Sequence, residues 1–368
     1  MKILVISPKN KTVFNFRGDL IKDMIAKGND VYVTGPNRDY EEDILALGVK
    51  KLIEIPFVKD NTSVFGDLSY LRNLKQVIST LRPDLVFSYT IKPVIYGSIA
   101  AKNAKVSHIY AMVTGLGRVY ANDGLKTKIV RMVTKILYKK AFKACDKVIF
   151  QNRDDIEELV SDGYLTKEKT VQVNGSGVNM KRFSKAPLPE KPAFLMVSRV
   201  IREKGIMEYC EAAQSVKKEF PDVQCILLGG FDASIGALKR EDIEPYISDG
   251  SIEYPGEVKD PVSYFEKSSV FVLPSYYREG LPRTILEAMA CGRPVITTDW
   301  PGCREPIENG INGYLVSIKD SELLADKMKQ IISNDVQLQQ MSEAAYKTCT
   351  EKYDVNIINA QMREIMKY

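Results

Sequence analysis

Short apolar runs alternate along this chain with longer amphipathic stretches. The run over 2–7 opens the series, and Asp30–Gly35, 52–55, 84–89, His108–Val113 and 147–152 continue it. Runs this short and rich in Val and Ile read as buried parallel strands. Helical patterns fall between them over 17–27, 41–47, 68–81, 94–102 and 125–144, and Gly28 closes the first. The alternation restarts at Ala193, with strands expected over 193–198, 223–228, 252–254, 270–274, 295–298 and 313–316. Helices are expected over 204–220, 241–247, 322–333, 335–351 and 355–366, with another entered through Pro282 in its first turn and closed by Gly292. Strand–helix alternation of this kind implies parallel, doubly wound sheets with right-handed crossovers.

Between the two series, Lys185 to Pro192 holds three prolines in eight residues, a spacing that resists helix and central strand alike. The chain therefore reads as a first domain over 1–184, a linker over 185–192 and a second domain over 193–350. A C-terminal helix over 351–368 is expected to pack back on the first domain. Two Rossmann-like halves make a cleft between them the default ligand site.

Composition narrows the class. A length of 368 residues favours two domains, and 45% hydrophobic content suffices for two cores. The six cysteines are scattered without a C-x-x-C pair, so a disulfide framework and a zinc site are not expected and a reducing cytoplasm is. The opening strand is unlike a signal peptide, and no run of about 18 apolar residues is present to span a membrane. A net charge of +5 does not imply nucleic acid, and no nucleic-acid partner is expected.

The location of the basic excess matters more. From Leu125 to Lys147 the chain carries Lys126, Lys128, Arg131, Lys135, Lys139, Lys140, Lys143 and Lys147 among Ile129, Val130, Met132, Val133, Ile136, Leu137 and Phe142, with Asp146 the sole acid. A core helix with a basic outer face is the plain alternative. The near-exclusion of acids favours an element docking on an anionic membrane surface.

Candidate chemistry gathers in loops after strands. Ser275 to Gly292, SYYREGLPRTILEAMACG, places a helix start at the carboxyl edge of a sheet, where open α/β sheets bind ligands and backbone N–H groups favour phosphate. Glu279 and Glu287 bracket it. Alone, both would read as solvated helix charges. Eight helical residues between them rise about 12 Å, enough to hold two separated parts of one ligand. Arg199 and Lys204, in the loop after the second domain's first strand, suit a diphosphate. Gly229-Gly230 is a permissive turn. In the first domain, Ser7 to Arg17 lacks G-x-G-x-x-G, so a dinucleotide fingerprint is absent. Arg17 at an expected helix start opposes the helix dipole and is either an anion contact or simply exposed. Thr114-Gly115-Leu116-Gly117 permits close backbone approach. The only histidine, His108, sits in an apolar run and reads as a packed residue, which leaves no His-based triad.

Together, SRVIREKG and, about 80 residues on, REGLPRTILEAMACGRPVI resemble the retaining glycosyltransferases of family 4, which have the GT-B fold: two Rossmann-like domains with parallel sheets facing an interdomain cleft. The pair of glutamates separated by seven residues, Glu279 and Glu287, carries the resemblance, and Glu305-Pro-Ile-Glu-Asn-Gly-Ile-Asn-Gly-Tyr314 extends it. The stretches FNFR, with Asn15 and Arg17, and GLGRVY look like bacterial transferases that extend lipid-diphosphate-linked oligosaccharides. The resemblance implies a UDP-sugar donor and a lipid-linked, undecaprenyl-diphosphate-type saccharide acceptor at the inner face of the plasma membrane. It implies a hexose or N-acetylhexosamine as the transferred group, and neither a cofactor nor a metal; the sequence has no D-x-D. Arg199 and Lys204 would grip the diphosphate, Glu279 would face the sugar, and Glu287 would take the ribose hydroxyls. Gly280 and Leu281 would cap a phosphate, with Pro282, Thr284 and Gly229 lining the donor. Asn15, Arg17, Thr114, Gly115 and Gly117 would serve the acceptor or a phosphate. Two features depart from the family: the first loop has Lys9-Asn-Lys-Thr12 where many members place Gly-Gly, and Thr114 stands near the place of a common histidine. A nucleotide-sugar 2-epimerase and a non-catalytic nucleotide-sugar-binding protein are the competing readings.

Overall fold

The computed structural model describes residues 1–56, 64–117, 125–232 and 237–368, with the side chains of 64, 65 and 125–131 outside the description. Arg118 to Tyr120 and the side chains of Lys126, Lys128 and Arg131 therefore lie outside the described residues. The chain forms two compact units, Met1–Ser176 with Val355–Tyr368, and Gly177–Asp354.

The first unit runs β1 (Lys2–Ile6), α1 (Asn10–Ala26), β2 (Asp30–Gly35), α2 (Glu41–Leu45), β3 (Lys51–Glu54), α3 (Val64–Leu81) and β4 (Leu85–Tyr89). A π-helical turn, Pro93–Gly97, then leads into α4 (Ser98–Asn103), β5 (His108–Val113), α5 (Leu125–Ala144), β6 (Lys147–Phe150), α6 (Arg153–Ser161) and β7 (Thr170–Gln172). Its seven-stranded parallel sheet has the order β3-β2-β1-β4-β5-β6-β7, so the direction of winding reverses between β1 and β4. Ile3, Val5, Val33 and Phe87 face α1 in one core, and Leu4, Ile6, Val86 and Ala111 fill the other.

The second unit runs β8 (Ala193–Val197), a 3₁₀ turn (Arg202–Lys204), α7 (Ile206–Glu219), β9 (Gln224–Leu228), α8 (Arg240–Ser248), β10 (Glu253–Gly256), α9 (Val262–Lys267) and β11 (Val270–Leu273). It continues with α10 (Arg283–Ala290), β12 (Val295–Thr298), β13 (Gly313–Val316), α11 (Ser321–Ile332) and α12 (Asp335–Lys352). Its six parallel strands take the order β10-β9-β8-β11-β12-β13, with the reversal between β8 and β11. The last helix, α13 (Val355–Met366), belongs to the first unit. Ile358, Met362 and Met366 join the α1-side core, and Arg363 pairs with Asp23 at 3.0 Å.

Four expectations change. Helix α1 starts at Asn10, so Arg17 lies mid-helix and the argument from the dipole at a helix start does not apply to it. The change of unit falls at Ser176–Gly177, ahead of the proline-rich stretch. That stretch is fixed within the second unit because the buried Arg293 guanidinium donates to the carbonyls of Ala186 (2.8 Å) and Pro187 (3.0 Å). Such carbonyls satisfy a charge that burial would otherwise strand. The helix expected from 204 starts at Ile206, because Gly205 at φ +77° breaks the turn. His108 opens β5 half-exposed, its Nδ1 3.8 Å from Asp146, and is not a core residue.

Candidate active site

In an open α/β sheet the loops that leave adjacent strands in opposite directions part at the switch point, and ligands bind there. In the second unit these loops follow β8 and β11, and they carry Arg199, Lys204 and Glu279. Glycine lets the backbones close up. A Cβ on Gly205 would overlap the Pro274 carbonyl, and one on Gly229 (φ +150°) would overlap that of Ser198. Tyr276 N–H donates to the Glu203 carbonyl at 2.9 Å, which ties the two loops together.

This closure seats Lys204 directly on Glu279 in an ion pair, with side chains 12% and 17% exposed. Burial lowers the Lys204 ammonium to about 8, and the Arg199 charge pulls the same way against Cys303. The touching Glu279 carboxylate favours the protonated form, so Lys204 carries its charge at neutral pH. Arg199 is more open and pairs with Asp232 at 2.6 Å. Its guanidinium and the Lys204 ammonium lie 5.8 and 5.7 Å from the Tyr277 ring centroid, so one aromatic ring serves two cations.

Helix α10 begins after Pro282, which stands extended at the N-cap (φ −64°, ψ 117°) rather than inside the first turn. Gly280 and Leu281 thus precede the helix, and only Glu287 of the two glutamates lies on it, so the 12 Å helical separation does not apply. Gly292, at φ +75°, follows the helix end as expected. One turn before Glu287, Arg283 brings its Nε to 3.1 Å from Oε1, both side chains nearly buried. Burial raises the Glu287 carboxyl to about 7, while Arg283 and Arg182 oppose the rise and Asp260 adds to it. Thr284 is partly exposed on the first turn of α10.

The turn after β12 closes onto the same place. Thr298 Oγ1 donates to the Ser275 carbonyl, and Cys303 Sγ approaches that oxygen at 3.9 Å. Gly302, at φ +81°, packs so tightly that a Cβ would stand 2.5 Å from the Gly280 carbonyl oxygen and 2.7 Å from that of Glu279.

The other candidates belong to the first unit. Arg17 is buried, donates to Ser176 Oγ at 2.8 Å and lies 5.0 Å from the Tyr89 ring centroid. Tyr89 ends β4 and donates to Ser7 Oγ at 2.7 Å, beside Thr12 at 3.0 Å, so a polar cluster fills the β1/β4 switch point. Asn15 is partly buried on α1. Thr114, Gly115 (φ +104°) and Gly117 (φ +61°) follow β5. Thr90 adopts φ +68°, unusual for a β-branched residue and a sign of strain at this edge. Lys92 and Tyr96 both bond the Asp67 carboxylate at 2.8 Å.

Sequence reasoning passed over Asp232, Tyr277 and Tyr89, and saw in Arg283 only a neighbour of the sugar-facing Glu279 rather than the partner of Glu287. The i,i+4 spacing of Arg283 and Glu287 was a usable signal. For Asp232 and Tyr89 nothing local distinguishes them, because strand order brings their partners near. Among the described residues, no group of three or more His, Cys, Asp or Glu converges as a metal site.

Two Rossmann-like units, the second with cations and carboxylates gathered at its switch point, define the GT-B architecture of glycosyltransferases. Residues 2–152 match the family described as Glycosyl transferase 4-like, and residues 179–348 match Glycosyl transferases group 1. The chain belongs to the family 4 glycosyltransferases and is a glycosyltransferase. It is 29% identical over 372 residues to the N,N'-diacetylbacillosaminyl-diphospho-undecaprenol alpha-1,3-N-acetylgalactosaminyltransferase of Campylobacter jejuni, covering 97% of this chain and 96% of that protein. It is 27% identical over 321 residues to the Escherichia coli UDP-Gal:alpha-D-GlcNAc-diphosphoundecaprenol alpha-1,3-galactosyltransferase, covering 82% and 79%. The fold matches that of Anabaena HepE, solved in complex with UDP and glucose, at a TM-score of 0.79 and 19% identity over 100% of this chain and 99% of that one.

Proposed function

We propose that this enzyme moves a hexose or N-acetylhexosamine from a UDP-sugar to an undecaprenyl-diphosphate-linked saccharide, with retention of configuration and without a metal ion. The observation that carries this reading is Lys204 seated on Glu279 at the switch point, with Arg199 beside it on the Tyr277 ring. The names of the Campylobacter and Escherichia relatives both include a diphospho-undecaprenol acceptor, which supports the acceptor class.

Arg199 and Lys204 take the donor diphosphate. Arg199 leaves Asp232, and Lys204 keeps Glu279 aligned as it turns toward the phosphate. Their charges stabilise the UDP that departs, the role a metal would otherwise fill. Glu279 accepts hydrogen bonds from the sugar hydroxyls, and Glu287, held by Arg283, accepts from the ribose. Gly280, Leu281, Pro282, Thr284 and Gly229 shape the donor site. The acceptor hydroxyl attacks the anomeric carbon on the face that UDP leaves. The carbon–oxygen bond to UDP breaks, and the acceptor proton passes to the departing phosphate oxygen. The first unit's carboxyl edge, with Arg17 and Asn15 on α1 and Thr114, Gly115 and Gly117 after β5, takes the acceptor.

An epimerase working through histidine fits poorly. His108 opens β5 at the amino edge of its sheet, whereas the switch-point loops leave carboxyl ends.

The enzyme docks on the inner face of the plasma membrane through α5. Met132, Val133 and Ile136 are 60%, 51% and 63% exposed there, and Lys139, Lys140 and Lys143 are exposed on the following turns. Exposed apolar residues next to lysines suit insertion at an anionic lipid interface. Lys135 instead lies 5.2 Å from the Tyr164 ring centroid. Among the described residues, no helix is long and apolar enough to cross a membrane.

The test is a screen of UDP-Gal, UDP-Glc and their N-acetyl forms against short diphospholipid-linked sugars, with the product anomer determined. Lys204→Ala and Glu287→Ala should abolish transfer while the chain stays folded. Full transfer by both variants, or an inverted product, would overturn the corresponding part of the reading.

A further inference from the structure

The chain contains one tryptophan, Trp300, and it stands in the turn that follows β12. Strand β12 pairs with β11, so this turn emerges beside the loop that carries Glu279. The turn is tightly wound: Trp300 N–H donates to the Thr298 carbonyl at 2.8 Å, and the Trp300 carbonyl accepts from Cys303 at 3.0 Å and Arg304 at 3.1 Å. Two residues on, Gly302 packs against the Glu279 and Gly280 carbonyls. The bonds from Thr298 and Cys303 to the Ser275 carbonyl anchor the turn at both ends. The turn that carries Trp300 is thus fixed, through its neighbours Thr298, Gly302 and Cys303, to the loop that carries Glu279.

Its side chain is partly exposed, yet the indole Nε1–H is buried and has no hydrogen-bond partner. A buried N–H without an acceptor is costly, and in folded proteins such groups are rare. Indole nitrogen is a donor only. The group that completes it must bring an oxygen acceptor, and a saccharide is dense in them.

We infer that Trp300 is a sugar-contacting residue of the donor site, its indole N–H donating to an oxygen of the transferred sugar. The inference rests on the donor site proposed above. Two sugar oxygens offer the same acceptor chemistry, a ring hydroxyl or the carbonyl of an acetamido group. Trp300 therefore discriminates among donors, since a site built to hydrogen-bond one group rejects the analogue that lacks it.

With a single tryptophan, intrinsic fluorescence of the full chain reports this position alone. Calorimetry first measures binding of UDP, UDP-Glc and UDP-GlcNAc. Absence of any binding would count against the donor site itself. Given binding, saturating UDP-sugar should change the emission clearly more than saturating UDP. The same emission with UDP and with UDP-sugars would overturn the assignment of Trp300 to the sugar while leaving the donor site intact. Trp300→Phe should keep wild-type affinity for UDP and lower kcat/KM for the preferred UDP-sugar at least fivefold. A loss confined to N-acetyl donors would support the acetamido carbonyl as the acceptor, and an equal loss on both donors would support a hydroxyl. Wild-type kcat/KM on both donors, or weakened UDP binding that accounts for the whole loss, would overturn the proposal.

Discussion

Replacing Glu287 with Gln separates the energetic cost of a buried carboxylate from its use. The Glu287 side chain is 13% exposed, and burial raises its carboxyl from 4.5 to about 7 against the pull of Arg283 and Arg182. A carboxyl raised in the folded state holds its proton more tightly there than in the unfolded chain. It therefore favours the fold at low pH, and that contribution is lost as pH climbs from about 4.5 to about 7. Between about pH 5 and about pH 8.5 the loss integrates to about 2.5 kcal/mol for wild type. Glutamine does not titrate, so Glu287→Gln loses nothing by this route. Urea unfolding followed by Trp300 fluorescence reports the second unit, because the chain's one tryptophan lies there. At about pH 8.5 the stability of the variant relative to wild type should be about 2 to 3 kcal/mol higher than at about pH 5. Sugar transfer by the same variant should fall at least tenfold, as expected when a charged acceptor for the ribose is removed. A relative stability that does not move with pH would refute the account of Glu287 as a carboxylate kept buried at an energetic cost.

Lys204, lowered to about 8 by burial, should impose an alkaline limb: transfer declines as pH rises through about 8, and Lys204→Arg moves that limb upward even if its rate is lower. Gly302→Ala should cost about 1 to 3 kcal/mol by urea unfolding and depress transfer, whereas Gly310→Ala, at nearly the same φ (+82° against +81°) but with nothing within 4 Å of its Cβ, isolates the backbone strain alone. Changing Lys139, Lys140 and Lys143 to Glu should release the enzyme from anionic liposomes in a flotation assay, since each lysine near such a surface contributes about 1 kcal/mol. Unchanged flotation would remove α5 as the docking element.

Much of this protein was legible along the chain. Apolar runs of strand length gave the two alternating series, because a strand buried on both faces must be apolar throughout and its crossover helix only on one side. The loops with Arg199, Lys204 and Glu279 stood out because they follow those runs and end in helices. Boundaries set by single residues were harder. Gly205 separates Lys204 from α7, and Pro282 stays outside α10, through local backbone angles that a pattern of apolar positions does not encode. The proline-rich stretch looked like a linker because its composition resists regular structure, but irregular chain also packs when a buried cation such as Arg293 needs its carbonyls.

What the sequence alone determined is the inventory: two α/β units and a set of cations and carboxylates placed just beyond strand ends. What only the tertiary structure decided is their pairing. Strand order sets β11 beside β8, which seats Glu279 on Lys204 across 75 residues of sequence, and it brings Asp232 to Arg199 across 33. The same packing desolvates Glu287 and Lys204 and moves their proton affinities toward neutrality, a property of surroundings assembled from distant segments that neither residue carries in its own neighbourhood of the chain.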